Sequence, residues 1–191
     1  MTGRGRKAQG PSVYMHAIEL SQLFAVVEAV APRRCLEWGS GGSTRALLEA
    51  CPFIERYVSV EHDPTWHAEV TASVTDPRLS YHLVPPDVPH PDRKDRRAVI
   101  AWEARAEEQP EMFASYVGLP RTLGLRFDFV LVDGRARGFC LEEGWQLLDP
   151  GGVILLHDAQ REQYQPTLRA LGRAVFLEPW KQGQIAFVRK P

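Results

Sequence analysis

Short runs of β-branched and aromatic residues alternate with helical stretches along most of this sequence, and only the last two runs follow one another directly. No other feature restricts the fold so strongly. RRCLEW, RYVSV, RLSYHLV, FDFVLVD and GVILLHD read as buried strands, and AVFLEPW with QIAFVRK reads as a closing pair. STRALLEAC, PTWHAEVTASV, FCLEEGWQLL and EQYQPTLRALG carry helical patterns between them. A further helix, VYMHAIELSQLFAVVEAV, precedes the first strand and is expected to be capped by Ser12. Strand–helix alternation demands parallel strands joined by right-handed crossovers. A terminal strand pair adds an antiparallel edge. The expected fold class is α/β, a three-layer α/β/α sandwich around a seven-stranded, mostly parallel sheet with an antiparallel terminal strand.

A chain of 191 residues suffices for one such domain and is short for two. Residues 1–11, MTGRGRKAQGP, are basic and Gly-rich, and no apolar segment follows as in a secretory signal, so they read as a flexible tail. Residues 12–191 form the expected domain. Within it, residues 85–124 break the alternation, opening with the Pro- and charge-rich PPDVPHPDRKDRR, and are expected to form a substrate lid. The 23 basic and 24 acidic residues nearly cancel, so nothing global points to nucleic acid or a membrane surface. Apolar runs fall far short of the ~18 residues that cross a bilayer. Cys35, Cys51 and Cys140 are odd in number and lack C-x-x-C spacing, which suits buried thiols in a reducing cytoplasm. The expected partner is a small molecule, and a homo-oligomer stays open.

The sharpest motif is LEWGSGGSTRALLE: a strand, the turn Gly39-Ser40-Gly41-Gly42, then a helix whose first N–H groups, at Ser43 and Thr44, can face a ligand. Glu61 ends the next strand, 24 residues after Glu37, where a carboxylate can accept both hydroxyls of a ribose. A dinucleotide fingerprint would place a third glycine at position 44, which is Thr44. That counts against an NAD(P)-dependent oxidoreductase, the alternative enzyme class. A non-catalytic nucleoside-binding module is the other alternative.

The E-x-G-x-G-G turn resembles the first motif of class I S-adenosylmethionine-dependent methyltransferases. SVEHD, FDFVLVDG and LLDPGGVILLHD are similar to later motifs of that superfamily, in its order. DGR-x-R and HD-x-x-R-x-x-Y also look like a group of small methyltransferase-like proteins. The resemblance implies a Rossmann-like fold and S-adenosylmethionine as cofactor. It places Gly39, Ser40 and Gly41 beneath the methionine portion, with Gly42 and Ser43 opening the helix beside it. It puts Glu37 at the amino group, Glu61 at the ribose, and His62 and Asp63 at the adenosine edge. Asp87 is its candidate on the adenine side.

Transfer of a methyl group from a sulfonium is an in-line displacement, so alignment is most of the work. The expected reaction is O-methylation of a small molecule, with its being anionic left open. Asp133, His157 and Asp158 end the fourth and fifth strands and are the catalytic candidates. In one reading Asp133 and Asp158 hold a divalent cation such as Mg, as in catechol-type O-methyltransferases, although Ala159 stands where those enzymes carry Asn. In another, His157 or Asp158 is a metal-free base. In a third, the pair braces the strand end. Arg135, Arg137 and Arg161 surround the same mouth and suit either an anionic substrate or neighbouring acids.

Overall fold

The computed structural model describes residues 15–180 and 183–191, so the expected tail and Ser12 lie outside the described residues. Seven strands form one sheet: β1 Arg34–Trp38, β2 Arg56–Glu61, β3 Leu79–Leu83, β4 Phe127–Val132, β5 Leu148–Leu156, β6 Val175–Phe176 and β7 Ala186–Arg189. Their order is β3-β2-β1-β4-β5-β7-β6. The first five are parallel, and β7 runs antiparallel to both β5 and β6. The sequence expectation therefore holds for architecture and strand directions.

Strand alternation splits the core in two. Leu36, Trp38, Val58, Val60, Val130 and Ile154 face one side. There they meet α4 Arg96–Glu108, α5 Ala114–Thr122, α6 Arg137–Leu147 and α7 Gln165–Leu171. Cys35, Tyr57, Phe129, Leu131 and Val153 face the other, under α1 Ala17–Val30 and α2 Gly42–Ala50. The remaining helix, α3 Pro64–Ser73, opens with Pro64 in its first turn behind the cap Asp63. Pro166 likewise falls in the first turn of α7. All three cysteines are free and buried. Among the described residues, no helix is long and apolar enough to cross a membrane.

Three expectations need correction. Helix α1 begins at Ala17, and its cap is His16. The His16 ring accepts from Ile18 N–H, and Glu19 Oε2 accepts from His16 N–H at 2.9 Å. This is a capping box built on an unusual cap residue, which a search for Ser, Thr, Asp or Asn passes over. Strand β6 keeps only two residues of AVFLEPW, Val175 and Phe176. Strand β5 starts at Leu148, four residues ahead of the expected GVILLHD run, and so takes in Asp149, Pro150 and Gly151.

The 85–124 segment carries α4, a 3-10 turn at Pro110–Phe113, and α5. Its second half is core: Met112, Phe113 and Tyr116 are fully buried, and Trp38 Nε1 donates to Tyr116 O at 3.1 Å. Its first half is largely exposed.

Two substitutions test this packing. Ala31 ends α1 in the left-handed region at φ 47° and is exposed. Ala31→Gly should stabilise the protein by about 1 kcal/mol. Gly144 lets α6 lie close to the sheet, since a Cβ there would sit 2.9 Å from Val130, 3.0 Å from Ile154 and 3.1 Å from Trp38. Gly144→Ala should cost about 1–3 kcal/mol by overpacking. Urea denaturation of both variants reads the two signs.

Candidate functional site

Gly39 follows β1 at φ 92°, and a Cβ on it would lie 2.5 Å from the backbone nitrogen of Gly134, which follows β4. The two turns therefore touch backbone to backbone. Strand order reverses between β1 and β4, so the loops beyond them part and leave a crevice. A cavity of about 590 Å³ opens there, large enough for a cofactor-sized ligand. Gly39, Ser40, Gly41, Gly42, Ser43, Glu61 and His62 line one side. Asp133, Arg135, Arg137, His157, Asp158 and Arg161 line the other. Most residues singled out from sequence thus meet around one cavity, but Glu37, Thr44 and Asp87 do not line it.

Glu37 lies on β1, beneath the glycine turn. It shares strand parity with Cys35 and so points to the α2 face of the sheet. It is fully buried. Its carboxyl accepts from Thr44 Oγ1 at 2.6 Å, Ser59 Oγ at 2.7 Å and Ser43 Oγ at 3.3 Å. Ser59 is its register partner on β2. Burial raises this carboxyl to about 7, despite the Thr44 and Ser59 hydroxyls, which pull it down. The resemblance implied that Glu37 holds an amino group directly or through water; in this structure its carboxyl braces the start of α2 beneath the glycine turn.

Glu61 is 3% exposed but faces the cavity. It accepts from the backbone N–H groups of Ser40 at 3.1 Å, His62 at 2.7 Å and Asp63 at 2.9 Å. Ser40 Oγ also donates to it at 3.1 Å, and His62 Nδ1 lies 2.9 Å away. Burial alone would raise this carboxyl. The His62 side chain and the backbone donors outweigh that, and it sits below its ordinary value. Trp66 closes the same wall: its indole donates to Ser40 O at 2.6 Å and its ring lies against Gly41. Asp63 caps α3 and pairs with Arg93. Asp87 turns away to Ser115, whose N–H it accepts at 2.9 Å, so it does not serve the adenine side.

At the other end Arg137 is 8% exposed and stands between two carboxylates. Its Nη2 lies 3.3 Å from Asp133 Oδ1 and its Nη1 lies 3.1 Å from Asp158 Oδ2. Nη1 also donates to His157 O at 2.6 Å, and Nε to Gly134 O at 2.9 Å. The guanidinium thus bridges the carboxylates a divalent cation would need, and the donor set does not fit a metal. Among the described residues, no three His, Cys, Asp or Glu side chains group to hold one. The expectation of a Mg site at Asp133 and Asp158 is withdrawn. Arg137 is likewise consumed internally and is not free to bind substrate. Arg135 pairs with Glu103 at 2.6 Å. Arg161 pairs with Asp158 at 2.8 Å, with its side chain 45% exposed.

His157 has carboxylates at both nitrogens: Asp133 at 2.8 Å from Nδ1 and Glu19 at 3.1 Å from Nε2. Carboxylates only accept, so both contacts are satisfied when the ring carries two protons. Burial opposes that charge, but Asp133, by charge and hydrogen bond, and Asp158 raise the ring above its ordinary value. Both ring nitrogens are therefore engaged by carboxylates in this arrangement. Asp158, at φ 60°, is held in a left-handed conformation beside the cavity. Burial would raise its carboxyl, but Arg137, His157 and Arg161 hold it low.

Sequence reading missed Glu19, Met15, Trp66 and Glu107. The last three line the cavity. Glu107, on α4, accepts from the N–H groups of Ala136 and Arg137 at 3.1 and 3.0 Å, fixing the start of α6. Only Trp66 had a local signal, an aromatic side chain in the turn after the Glu61–Asp63 segment.

No protein-family model matches the chain, and no curated protein matches its sequence. Solved structures share its fold over most of its length. A methyltransferase-like protein from Silicibacter pomeroyi DSS-3 aligns at TM-score 0.64 and 24% identity, covering 95% of this chain and 90% of that one. The O-methyltransferase from Bacillus cereus, in complex with SAH, aligns at TM-score 0.62 and 16% identity, covering 94% and 84%. N-methyltransferase NodS from Bradyrhizobium japonicum WM9, with S-adenosyl-L-homocysteine, aligns at 0.58 and 14%, covering 98% and 91%. The fold is the Rossmann-like one of class I S-adenosylmethionine-dependent methyltransferases.

Two variants probe the buried charges. A carboxyl whose pKa is raised on folding binds its proton more tightly in the folded state, so stability is lost as pH rises from its unfolded value toward the folded one. Relative to Glu37→Gln, the wild type should lose on the order of 3 kcal/mol between pH ~4.5 and ~7, with no further divergence well above that. Arg137→Met strands two carboxylates and should cost about 3–5 kcal/mol. Urea denaturation across pH checks both.

Proposed function

We propose that this chain is an S-adenosylmethionine-dependent methyltransferase acting on an oxygen of a small molecule. The observation that carries this reading is the contact between Ser40 and Glu61, which joins the glycine turn to the carboxylate at the end of β2 on one cavity wall. The turn suits a methionine portion and the carboxylate suits a ribose diol, so a single ligand spans both. Backbone N–H groups hold Glu61 from behind, and the donors that ribose hydroxyls would displace are the side chains of Ser40 and His62. Beyond His62 and Asp63 lies a second cavity of about 620 Å³, walled by Pro85, Pro86, Pro89 and Trp102. This supports placing the base edge there, under the exposed first half of the 85–124 segment as a lid.

When bound, S-adenosylmethionine supplies an electrophilic methyl on a sulfonium. The chain's own part is to orient. Asp133 and Asp158, with side chains 22% and 15% exposed, can accept a hydrogen bond from an acceptor hydroxyl and aim its oxygen. Arg137, His157 and Arg161 hold the Asp158 carboxyl low, so it is a weak base, which favours an acceptor with an acidic hydroxyl or one already anionic. Arg161 is the arginine with exposure enough to meet an anionic substituent. Catalysis of this kind rests on alignment.

Calorimetric titration decides between cofactor classes. S-Adenosylhomocysteine should bind, and NADH and NADPH should not. Glu61→Ala should weaken S-adenosylhomocysteine by about 1–3 kcal/mol, the scale of losing charge-assisted hydrogen bonds, with its circular-dichroism spectrum unchanged. Preferential binding of NADH would overturn the reading, and wild-type affinity in the variant would remove Glu61 from the ribose site.

A further inference from the structure

Glu19 has a hydrogen-bonding task that helix capping does not account for. One oxygen, Oε2, completes the capping box on His16 N–H. That task needs no burial, and a capping carboxylate ordinarily stays in water. Here the residue is 4% exposed, and burying a carboxylate costs heavily unless it is paired. The other oxygen, Oε1, reaches His157 Nε2 at 3.1 Å, across 138 residues of chain. Room for it is made by Gly183, where a Cβ would lie 1.8 Å from Glu19 Oε1. A cap, a glycine and a histidine edge, drawn from three separate segments, all converge on one carboxylate.

The ring of His157 is thereby held at two points. Its backbone N–H donates to Val132 O at 3.1 Å, and its carbonyl accepts from Arg137. Those contacts fix where the residue sits but leave the ring free to turn. Glu19 at Nε2 and Asp133 at Nδ1 fix the turn. The charged groups facing the ring are Glu19 from α1, Asp133 after β4, Asp158 on its own loop, and Arg137 from α6, with Arg161 behind Asp158.

We propose that Glu19 is a positioning residue for the acceptor site: by holding the Nε2 edge of His157 it presents the Nδ1 proton to Asp133 and fixes that carboxylate beside the reacting centre. This rests on the methyl-transfer reading only for what the site is used for. The arrangement of Glu19, His157 and Asp133 stands independently of it. Glu19 touches neither the cofactor wall nor the reacting atoms, and acts through His157. Burial opposes a second proton on this ring, and Asp133 and Asp158 raise its affinity for one.

The test uses the full chain labelled with nitrogen-15 at histidine, with the His157 ring assigned by its loss in His157→Gln. At neutral pH the wild-type ring should show two protonated nitrogens. Glu19→Gln keeps the shape and the cap but removes the charge, and should shift the ring toward the singly protonated form and its half-protonation to lower pH. Gly183→Ala leaves both ionisable groups intact but pushes Oε1 away from Nε2, and should shift the ring the same way. It also decides the matter if Glu19→Gln does not fold. Wild-type ring signals in folded Glu19→Gln or in Gly183→Ala would overturn the proposal. Titration with S-adenosylhomocysteine separates the two readings. If the wild type fails to bind it, the methyl-transfer reading fails while the ring signals still decide the role of Glu19.

Discussion

The site depends on one close approach: the turn after β1 lies against the turn after β4 with no side chain between them. At Gly39 the backbone has a positive φ and no room for a Cβ, and at Gly134 a Cβ would run into the Tyr116 hydroxyl. Any larger residue at Gly39 would push the two turns apart. The cavity wall would then lose its shape, because Ser40, which contacts Glu61, is the next residue in the chain. Tyr116 belongs to the 85–124 segment, so that segment also supports the crossing from below.

Glu37 and Glu61 show how the same side chain acquires opposite character on adjacent strands. Both are almost wholly buried, and burial pushes both toward the neutral form. Glu37 is met by hydroxyls, which can accept as readily as donate and therefore tolerate a protonated carboxyl. Glu61 is met by three backbone N–H groups and an imidazole, which stabilise the ionised form. The first becomes a brace that is close to half-neutral near pH 7. The second remains a carboxylate that can receive hydroxyl donors from a ligand.

Fold and strand directions were legible because they follow from periodicity, which is local. The glycine turn and Glu61 were legible because each ends a strand that can be read from five or six residues. Glu37 was expected at an amino group, and two-residue alternation sets it with Cys35, among the hydroxyls at the start of α2. The arginines could not be sorted from sequence, since whether Arg137 meets substrate or Asp133 depends on the distance between two strand ends. Glu107 and Glu19 were invisible for the same reason. Each reaches the site from a helix distant in sequence, and no local pattern marks the end of that reach. The His16 cap was overlooked because its ring nitrogen does what an oxygen usually does.

The guanidinium between Asp133 and Asp158 has a consequence of its own. A metal ion is a guest: it exchanges, competes with other ions and can be stripped by a chelator. Arg137 is attached by covalent bonds, and its charge does not titrate in any range where the fold survives. The positive charge at this strand end therefore has no dissociation constant and no unloaded form. It is present from the moment the chain folds, and no chelator removes it.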